Sequence, residues 1–442
     1  MAASTTTVLS AVEAETLIEL LKVIPLKDIG NERWRLQHEY LEKLNMQAIL
    51  SASANTDEFI PEGFASYNKV FVVIHDLLST ELWQNKVFPL LLEMDIQQNS
   101  SLPIYMAFFH EATALSLLET LLYHKEPCEC AGEAVIDLVD YCCRKITQII
   151  VRAEMKEEAP AASDRKINSN SSVKEELETQ CRSVAVDLSF KALSVLRYIA
   201  DHLESLPLSV MTRLLNTHDV PCLLVQVLDI SPWRRTTNNG KSQVYVDREW
   251  KDVASEDSFL LPKLEGQVWL TLYHLLLNPD ATRKYEFTNY RKNQVLKLRK
   301  YLNESLLDQI PVLVHLQKYL QELSIMESVA AKRELILEQV PEIRENIEKE
   351  CDGRWEEIAE FQLKEYFSPS SKEIQDQAKQ LAATYSLDIL ENLVEEPPKC
   401  SKCGKDATKR CSRCRHQWYC SRQCQVQDWA THKTRCIVIG DQ

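Results

Sequence analysis

Residues 191–204 read KALSVLRYIADHLE. The apolar residues Leu193, Val195, Leu196, Ile199, Ala200 and Leu203 recur every three or four positions, the period of a helix with one buried face. Most of residues 7–395 shows the same periodicity. Glycine supports it: 8 of 442 residues, against a usual share of about 7%, argues for helices joined by glycine-poor turns. It argues against Gly-rich nucleotide folds and tight-turn β-proteins.

An internal repeat runs through the helical region. Val70, Val73, Ile74, Leu77, Leu78 and Trp83 align with Val220, Leu223, Leu224, Val227, Leu228 and Trp233, each 150 residues later. A fainter third copy starts at Ile310-Pro311, with Leu313 and Val314 in matching places. Such offsets suit several helical repeats of about 40 to 47 residues, the armadillo/HEAT length. Pro221 and Pro311 sit where a first-turn proline is tolerated.

Two stretches break the pattern. Residues 157–178 are almost free of apolar side chains before Leu177, so a flexible insertion is expected there. Residues 234–258 carry Asn239-Gly240 followed by alternating Val244-Tyr245-Val246, which predicts a β-hairpin or an extended loop. Leu320–Asp352 reads as two helices broken near Pro341, and Phe367-Ser368-Pro369-Ser370 ends one helix and caps the next. Glu395-Glu396-Pro397-Pro398 reads as a linker.

Charge divides the chain. Residues 1–399 carry a net −20 and residues 400–442 a net +6. An acidic body repels nucleic acid and anionic membranes, so nucleic-acid binding is disfavoured. No apolar run is long enough to span a bilayer, and the N-terminus MAASTTTVLSAVEAE has no secretory signal pattern. The expected compartment is therefore the cytosol or nucleus, where thiols stay reduced.

Of 14 cysteines, Cys128, Cys130, Cys142, Cys143, Cys181, Cys222 and Cys351 are scattered and read as small core residues. The other seven join one histidine in the series Cys400, Cys403, Cys411, Cys414, Cys420, Cys424, His432 and Cys436. The spacing is C-x2-C-x7-C-x2-C-x5-C-x3-C-x7-H-x3-C. Eight thiolate or imidazole ligands fill two tetrahedral Zn2+ sites with no position left for water, so both sites read as structural. The spacing is compatible with sequential or interleaved pairing of the ligands. A disulfide framework would strand one cysteine and ignore His432.

The expected fold is mainly α. An armadillo/HEAT-like helical solenoid spans 1–316, with the insertion 157–178 and the loop 234–258; a helical extension and linker span 317–396; a small two-zinc finger spans 400–436. No P-loop, G-x-S-x-G or H-E-x-x-H motif is present, which points away from an enzyme.

The eight-ligand series resembles the MYND zinc finger at every ligand. It also carries the family's Trp418-Tyr419-Cys420-Ser421 and Cys424-Gln425-x-x-Asp428-Trp429-x-x-His432-Lys433 elements. The resemblance implies cross-braced ligation: Cys400, Cys403, Cys420 and Cys424 on one zinc, and Cys411, Cys414, His432 and Cys436 on the other. It also implies a shallow groove for short peptides. Gln423 and Gln425 are the candidate backbone readers and Trp429 the candidate anchor, and Trp429 can equally pack over the second zinc site. SET-domain methyltransferases also carry MYND fingers, but the well-separated glycines here and the lack of an Asn-His dipeptide do not suit a SET cofactor loop.

Beyond the finger, three stretches resemble the MYND-finger proteins of axonemal dynein assembly: residues 38–50 (HEYLEKLNMQAIL), 191–199 (KALSVLRYI) and 266–269 (GQVW). That resemblance implies a non-enzymatic adaptor in the cytoplasmic pre-assembly of inner and outer dynein arms for motile cilia. The partners it implies are chaperones, dynein chains and a leucine-rich-repeat dynein assembly factor. The locations it implies are the apical cytoplasm and the centriolar satellites or centrosome of ciliated cells. Residues 157–178 and 234–258 look least like that family. The alternative reading is a transcriptional regulator, binding a corepressor or nucleic acid through Lys409, Arg410, Arg413 and Arg415.

Overall fold

In a computed structural model of the chain, the periodic stretches become helices that pack in two rows. The structure describes residues 8–94, 96, 100–155, 173–237, 240–246, 248–254, 259–327, 340–368, 400–403, 407, 409–411 and 417–440. The chain divides into two compact units, a body within Thr7–Gln377 and a second unit that contains the finger.

The body opens with α1 (Ala11–Leu20), α2 (Glu32–Ala54), α3 (Phe59–Ser66), α4 (Val70–Lys86), α5 (Phe88–Glu93) and α6 (Ser101–Leu121). There follow α7 (Lys125–Cys130), α8 (Ala134–Glu154), α9 (Val173–Asp201), α10 (Leu208–Thr212) and α11 (Val220–Ile230). The remainder comprises α12 (Lys263–Leu277), α13 (Pro279–Lys284), α14 (Asn289–Leu296), α15 (Glu304–Gln309), α16 (Leu313–Ile325), α17 (Ile343–Cys351) and α18 (Trp355–Glu365). Local chemistry sets the ends. Ser10 and Glu13 form a capping box at the start of α1, and the Asn31 side chain accepts the Trp34 N–H at 2.8 Å to start α2.

One row runs α2, α6, α9, α12, α16, each helix packed on the next. The other runs α4, α8, α11, α14. The pairs α4–α6, α8–α9, α11–α12 and α14–α16 tie the rows together, the helix-pair stacking of a solenoid. The aligned faces of α4 and α11 belong to the same row, two steps apart. Val70, Val73, Ile74, Leu77, Val220, Leu224 and Val227 are all buried, whereas Leu223 is half-buried against the core margin. The third copy does not hold. Leu313 starts α16, which lies in the opposite row, so its matching apolar spacing reflects a buried helix face and no structural equivalence. Position 316, where the solenoid was expected to end, falls inside α16.

The insertion also needs revision. Val173 begins α9 and Leu177 is fully buried, so the last six residues of the stretch 157–178 are the first turns of a 29-residue helix. The residues before Val173 in that stretch lie outside the described ones. Within 234–258 the chain forms the hairpin and adds a third strand, an antiparallel meander: β1 (Arg234–Thr236), β2 (Ser242–Val246) and β3 (Glu249–Asp252). The register pairs Arg235 with Gln243 and Tyr245 with Trp250. Tyr245 docks the sheet on α9 by packing on Phe190, with ring centroids 4.8 Å apart, and by donating its hydroxyl to Asp187.

The region 317–396 is read from the sequence as a helical extension and linker. Its described part past Val340 is helical and packs on the start of the body: α17 packs on α4 and α8, and α18 packs on α5. Trp83 Nε1 donates to Gln362 Oε1 at 2.7 Å, and Gln362 Nε2 donates to the carbonyls of Leu26 and Lys27. Asp137 of α8 accepts the backbone N–H groups of Glu342 and Arg344 at 3.2 and 3.3 Å, capping α17 from another helix. Phe367 is buried beneath Gly30, whose φ of 98° only glycine adopts readily and where a Cβ would meet the Phe367 ring at 2.9 Å.

Charge is also buried among the helices. Lys145 pairs with Glu111 at 2.7 Å, and Arg144 with Glu81, joining α8 to α6 and α4. Cys128, Cys142, Cys143, Cys222 and Cys351 are buried free thiols, while Cys130 and Cys181 are half-buried. Among the described residues no helix is long and apolar enough to cross a membrane.

Candidate metal centre

The finger is built from two short strands and one helix, β4 (Lys409–Arg410), β5 (Trp418–Tyr419) and α19 (Arg422–Gly440). Strand β4 pairs antiparallel with β5, with Lys409 opposite Tyr419 and Arg410 opposite Trp418. The Cys411 N–H donates to the Gln417 carbonyl at 2.9 Å and closes the turn between them. Ser401 N–H donates to the Trp418 carbonyl at 2.9 Å, which brings the first cysteine pair alongside β5. Ser421 Oγ accepts the Cys424 N–H at 3.3 Å and starts α19.

These contacts bring together Cys400 and Cys403 from the first turn, Cys420 from the end of β5, and Cys424 from the first turn of α19. Their four sulfurs all lie within 4.8 Å of one another. Cys403 and Cys420 are 3.5 Å apart, Cys420 and Cys424 3.5 Å, and Cys403 and Cys424 3.8 Å. Four sulfurs tetrahedrally placed at the usual zinc–sulfur distance stand about 3.8 Å apart, so the set fits one Zn2+. The three-residue gap between Cys420 and Cys424 places both sulfurs on one side of a helical turn.

Electrostatics favours a cation here. Desolvation pushes the Cys400 thiol up, but backbone N–H groups of Cys420, Lys402 and Cys403 aim at its sulfur and together bring it down to about 6. Cys420 is held up at about 12 because its thiol bonds first to Cys403 and then to Cys424. One sulfur is thus prepared as thiolate and a neighbour is held neutral. A divalent ion at the centre reverses that by stabilising every thiolate at once.

Cys411 and His432 are both buried in the finger. Cys414 and the side chain of Cys436 lie outside the described residues, so the expected second ligand set is described only through that pair. Cys400, Ala407, Cys411 and Tyr419 form the finger's small core. Tyr419 donates its hydroxyl to Asp428 Oδ2 at 2.8 Å, bolting β5 to α19. The sequence offered both residues, nine apart, yet nothing in their spacing marks them as partners.

The three candidate peptide readers separate. At 100° per residue, Gln425, Trp429 and His432 share one side of α19, whereas Gln423 points about 160° away from Gln425. The Trp429 ring stands edge-on to the His432 ring at 5.8 Å, and 39% of its surface remains exposed. It therefore both touches a candidate ligand and offers an apolar surface. Of the basic candidates, Lys409 is exposed; the side chain of Arg410 and residues Arg413 and Arg415 lie outside the described set.

Comparison with known proteins supports this picture. The family model of the MYND finger matches residues 400–436. A zinc finger MYND domain-containing protein 10 homolog of Drosophila melanogaster is 33% identical over 447 aligned positions, 96% of this chain and 98% of that protein. Finger-length similarity extends to ubiquitin carboxyl-terminal hydrolase 19 of Arabidopsis thaliana, 49% identical over 10% of this chain and 7% of that protein. It extends also to Tudor domain-containing protein 1 of Mus musculus, 46% identical over 8% of this chain and 3% of that protein. No solved structure matches the chain.

Proposed function

The chain belongs to the family of zinc finger MYND domain-containing protein 10, and from that premise we propose that it is a non-enzymatic adaptor for the pre-assembly of axonemal dynein arms. A MYND finger is a zinc-binding, protein-interaction module, and a solenoid offers long surfaces of the kind that bind proteins. The observation that carries the reading is that similarity to this relative covers 96% of the chain, body and finger alike, whereas similarity to the hydrolase and Tudor proteins covers only 10% and 8% of it, about the length of a finger. The helical body therefore supplies what is particular to this family. The adaptor works in the cytoplasm of ciliated cells, including the apical cytoplasm and centriolar satellites. There it brings chaperones and a leucine-rich-repeat assembly factor to dynein chains. Its finger holds two structural Zn2+ ions, Cys400, Cys403, Cys420 and Cys424 binding one, and Cys411, Cys414, His432 and Cys436 the other. Gln425 and Trp429 border the peptide-binding face, outside which Gln423 falls.

Depletion of the protein from cells building motile cilia tests the role. Electron tomography of axonemes is expected to show inner and outer arms lost, and restored when this chain is returned. Intact arms in its absence overturn the proposal.

A further inference from the structure

Between α9, the β1–β3 meander and the start of α12 lies a cavity of about 740 Å³. That is within the range of pockets that enclose a ligand or a large side chain. Phe190, Ser194 and Tyr198 of α9 form its floor, and Leu261 and Leu264 one wall. Two of the three stretches that carry the chain-wide resemblance meet here, since Lys191 and Tyr198 of 191–199 and Gln267 of 266–269 all line it. The opposite wall, which includes Val244 and Val246, comes from the part of the chain least like the family.

Two further observations bear on what the cavity could take. Gln267 lines the cavity, and its buried Oε1 accepts no hydrogen bond among the described residues, so a donor that reached it would satisfy it. The rim is also held open to solvent. Gln309 grips the segment 259–261 through the Phe259 carbonyl at 3.0 Å and the Leu261 N–H at 2.8 Å, and Arg234 holds the Leu260 carbonyl at 3.1 Å. Yet Phe259 and Leu260 are 74% and 61% exposed. A loop bolted by its backbone while presenting two large apolar side chains is preorganised for a partner.

Charge selects that partner. Glu119 faces Lys191 at 2.6 Å, Asp187 faces Arg248 at 3.2 Å and Asp252 faces Lys241 at 2.7 Å, so each anion lining the cavity is already matched. Lys263 stands exposed at the α12 end. In a body that is strongly acidic overall, this mouth suits a negative group.

We propose that this cavity is a second protein-docking site, which takes an extended segment of a partner protein with a bulky apolar anchor beside an Asp or Glu. The anchor enters between Tyr198 and Leu264, a backbone N–H of the segment donates to Gln267, and the acidic residue meets Lys263. The proposal rests on the adaptor reading and adds a binding site separate from the finger.

A phage-displayed library of random dodecapeptides, selected on the full zinc-loaded chain, tests it. Selected peptides are expected to share an aromatic or long aliphatic residue next to Asp or Glu. Their binding should weaken about tenfold or more in Leu260→Asp and in Gln267→Leu, the loss that one anchor contact commonly carries. Lys263→Glu should weaken it as well, and Trp429→Ala should leave it unchanged. Melting temperatures equal to wild type establish that the variants are folded; Leu260 is exposed, so its replacement leaves the core intact. Peptides insensitive to the Leu260 and Gln267 changes overturn the proposal. So does loss of concentration-dependent dimerisation in Leu260→Asp, which makes the site a self-contact, or binding of oleate with no peptide preference. If peptides bind here while depletion leaves dynein arms intact, the site stands and the ciliary role falls.

Discussion

Leu223 and Leu224 are adjacent, and both were read from sequence as one face of a repeat. Helical spacing locates the middle of a buried stripe well and its edge poorly. On α11 the buried arc includes Val220, Leu224, Val227 and Leu228, and Leu223 lies at its margin beside Ile230. Leu224→Ala is accordingly expected to cost roughly 2–5 kcal/mol by chemical denaturation, and Leu223→Ala clearly less. His38 is a residue that sequence reasoning left without a role. It is buried on α2, with Nδ1 3.0 Å from His110 Nδ1 and Nε2 3.3 Å from Glu42. Desolvation, then the neighbouring His110, push its pKa well below the ordinary 6.5. The native state thus resists a proton that the unfolded chain accepts. The stability this contributes is present above pH 6.5 and is lost as pH falls below it. Melting temperature is expected to drop on acidification through that value, and to drop less in His38→Gln. Equal slopes for the two proteins would remove His38 as the cause.

Helices were legible because their signal is local, with contacts three and four residues apart repeated along each stretch. Pairings between distant segments left no such mark. The meander was only half visible, since the turn and β2 show in the sequence but β1 and β3 are short and polar. The return of α17 and α18 was not visible at all, because Trp83 and Gln362 meet across 279 residues. Gln362 is wholly buried and satisfies three groups, the Trp83 indole and two carbonyls. Gln362→Leu strands the Trp83 indole N–H and the Lys27 carbonyl, while the Leu26 carbonyl keeps the Ile29 N–H, and is expected to cost about 1–3 kcal/mol or more. Asp137→Leu is expected to loosen α17 without unfolding α8, seen as faster hydrogen exchange confined to residues 343–351. Unchanged exchange there would mean that packing alone holds α17.

The division of the chain into two units predicts separable responses to metal loss. Metal analysis of reduced protein is expected to give two zinc ions per chain. Chelation, or Cys411→Ser, should unfold the finger while far-ultraviolet dichroism keeps nearly all its helical signal. A collapse of that signal would tie the body's stability to the finger. The two- and three-residue gaps made Cys400–Cys403 and Cys420–Cys424 legible as pairs, but spacing did not say that the two pairs share one ion; the MYND resemblance implied it and the clustered sulfurs agree with it. The Tyr419–Asp428 bond was not legible, and neither was the cavity, whose walls draw on residues from Glu119 to Gln267. The clasp between Trp83 and Gln362 also bears on synthesis. A ribosome releases the first repeat long before the helix that seals it, and at roughly 5–20 residues per second the 279 intervening residues take about 14–56 s to make. Throughout that interval the pocket that receives Phe367 faces solvent open, inviting holdase chaperones. A nonsense codon even slightly upstream of residue 340 would leave it open permanently and mark the product for degradation, although every repeat of the solenoid had been translated.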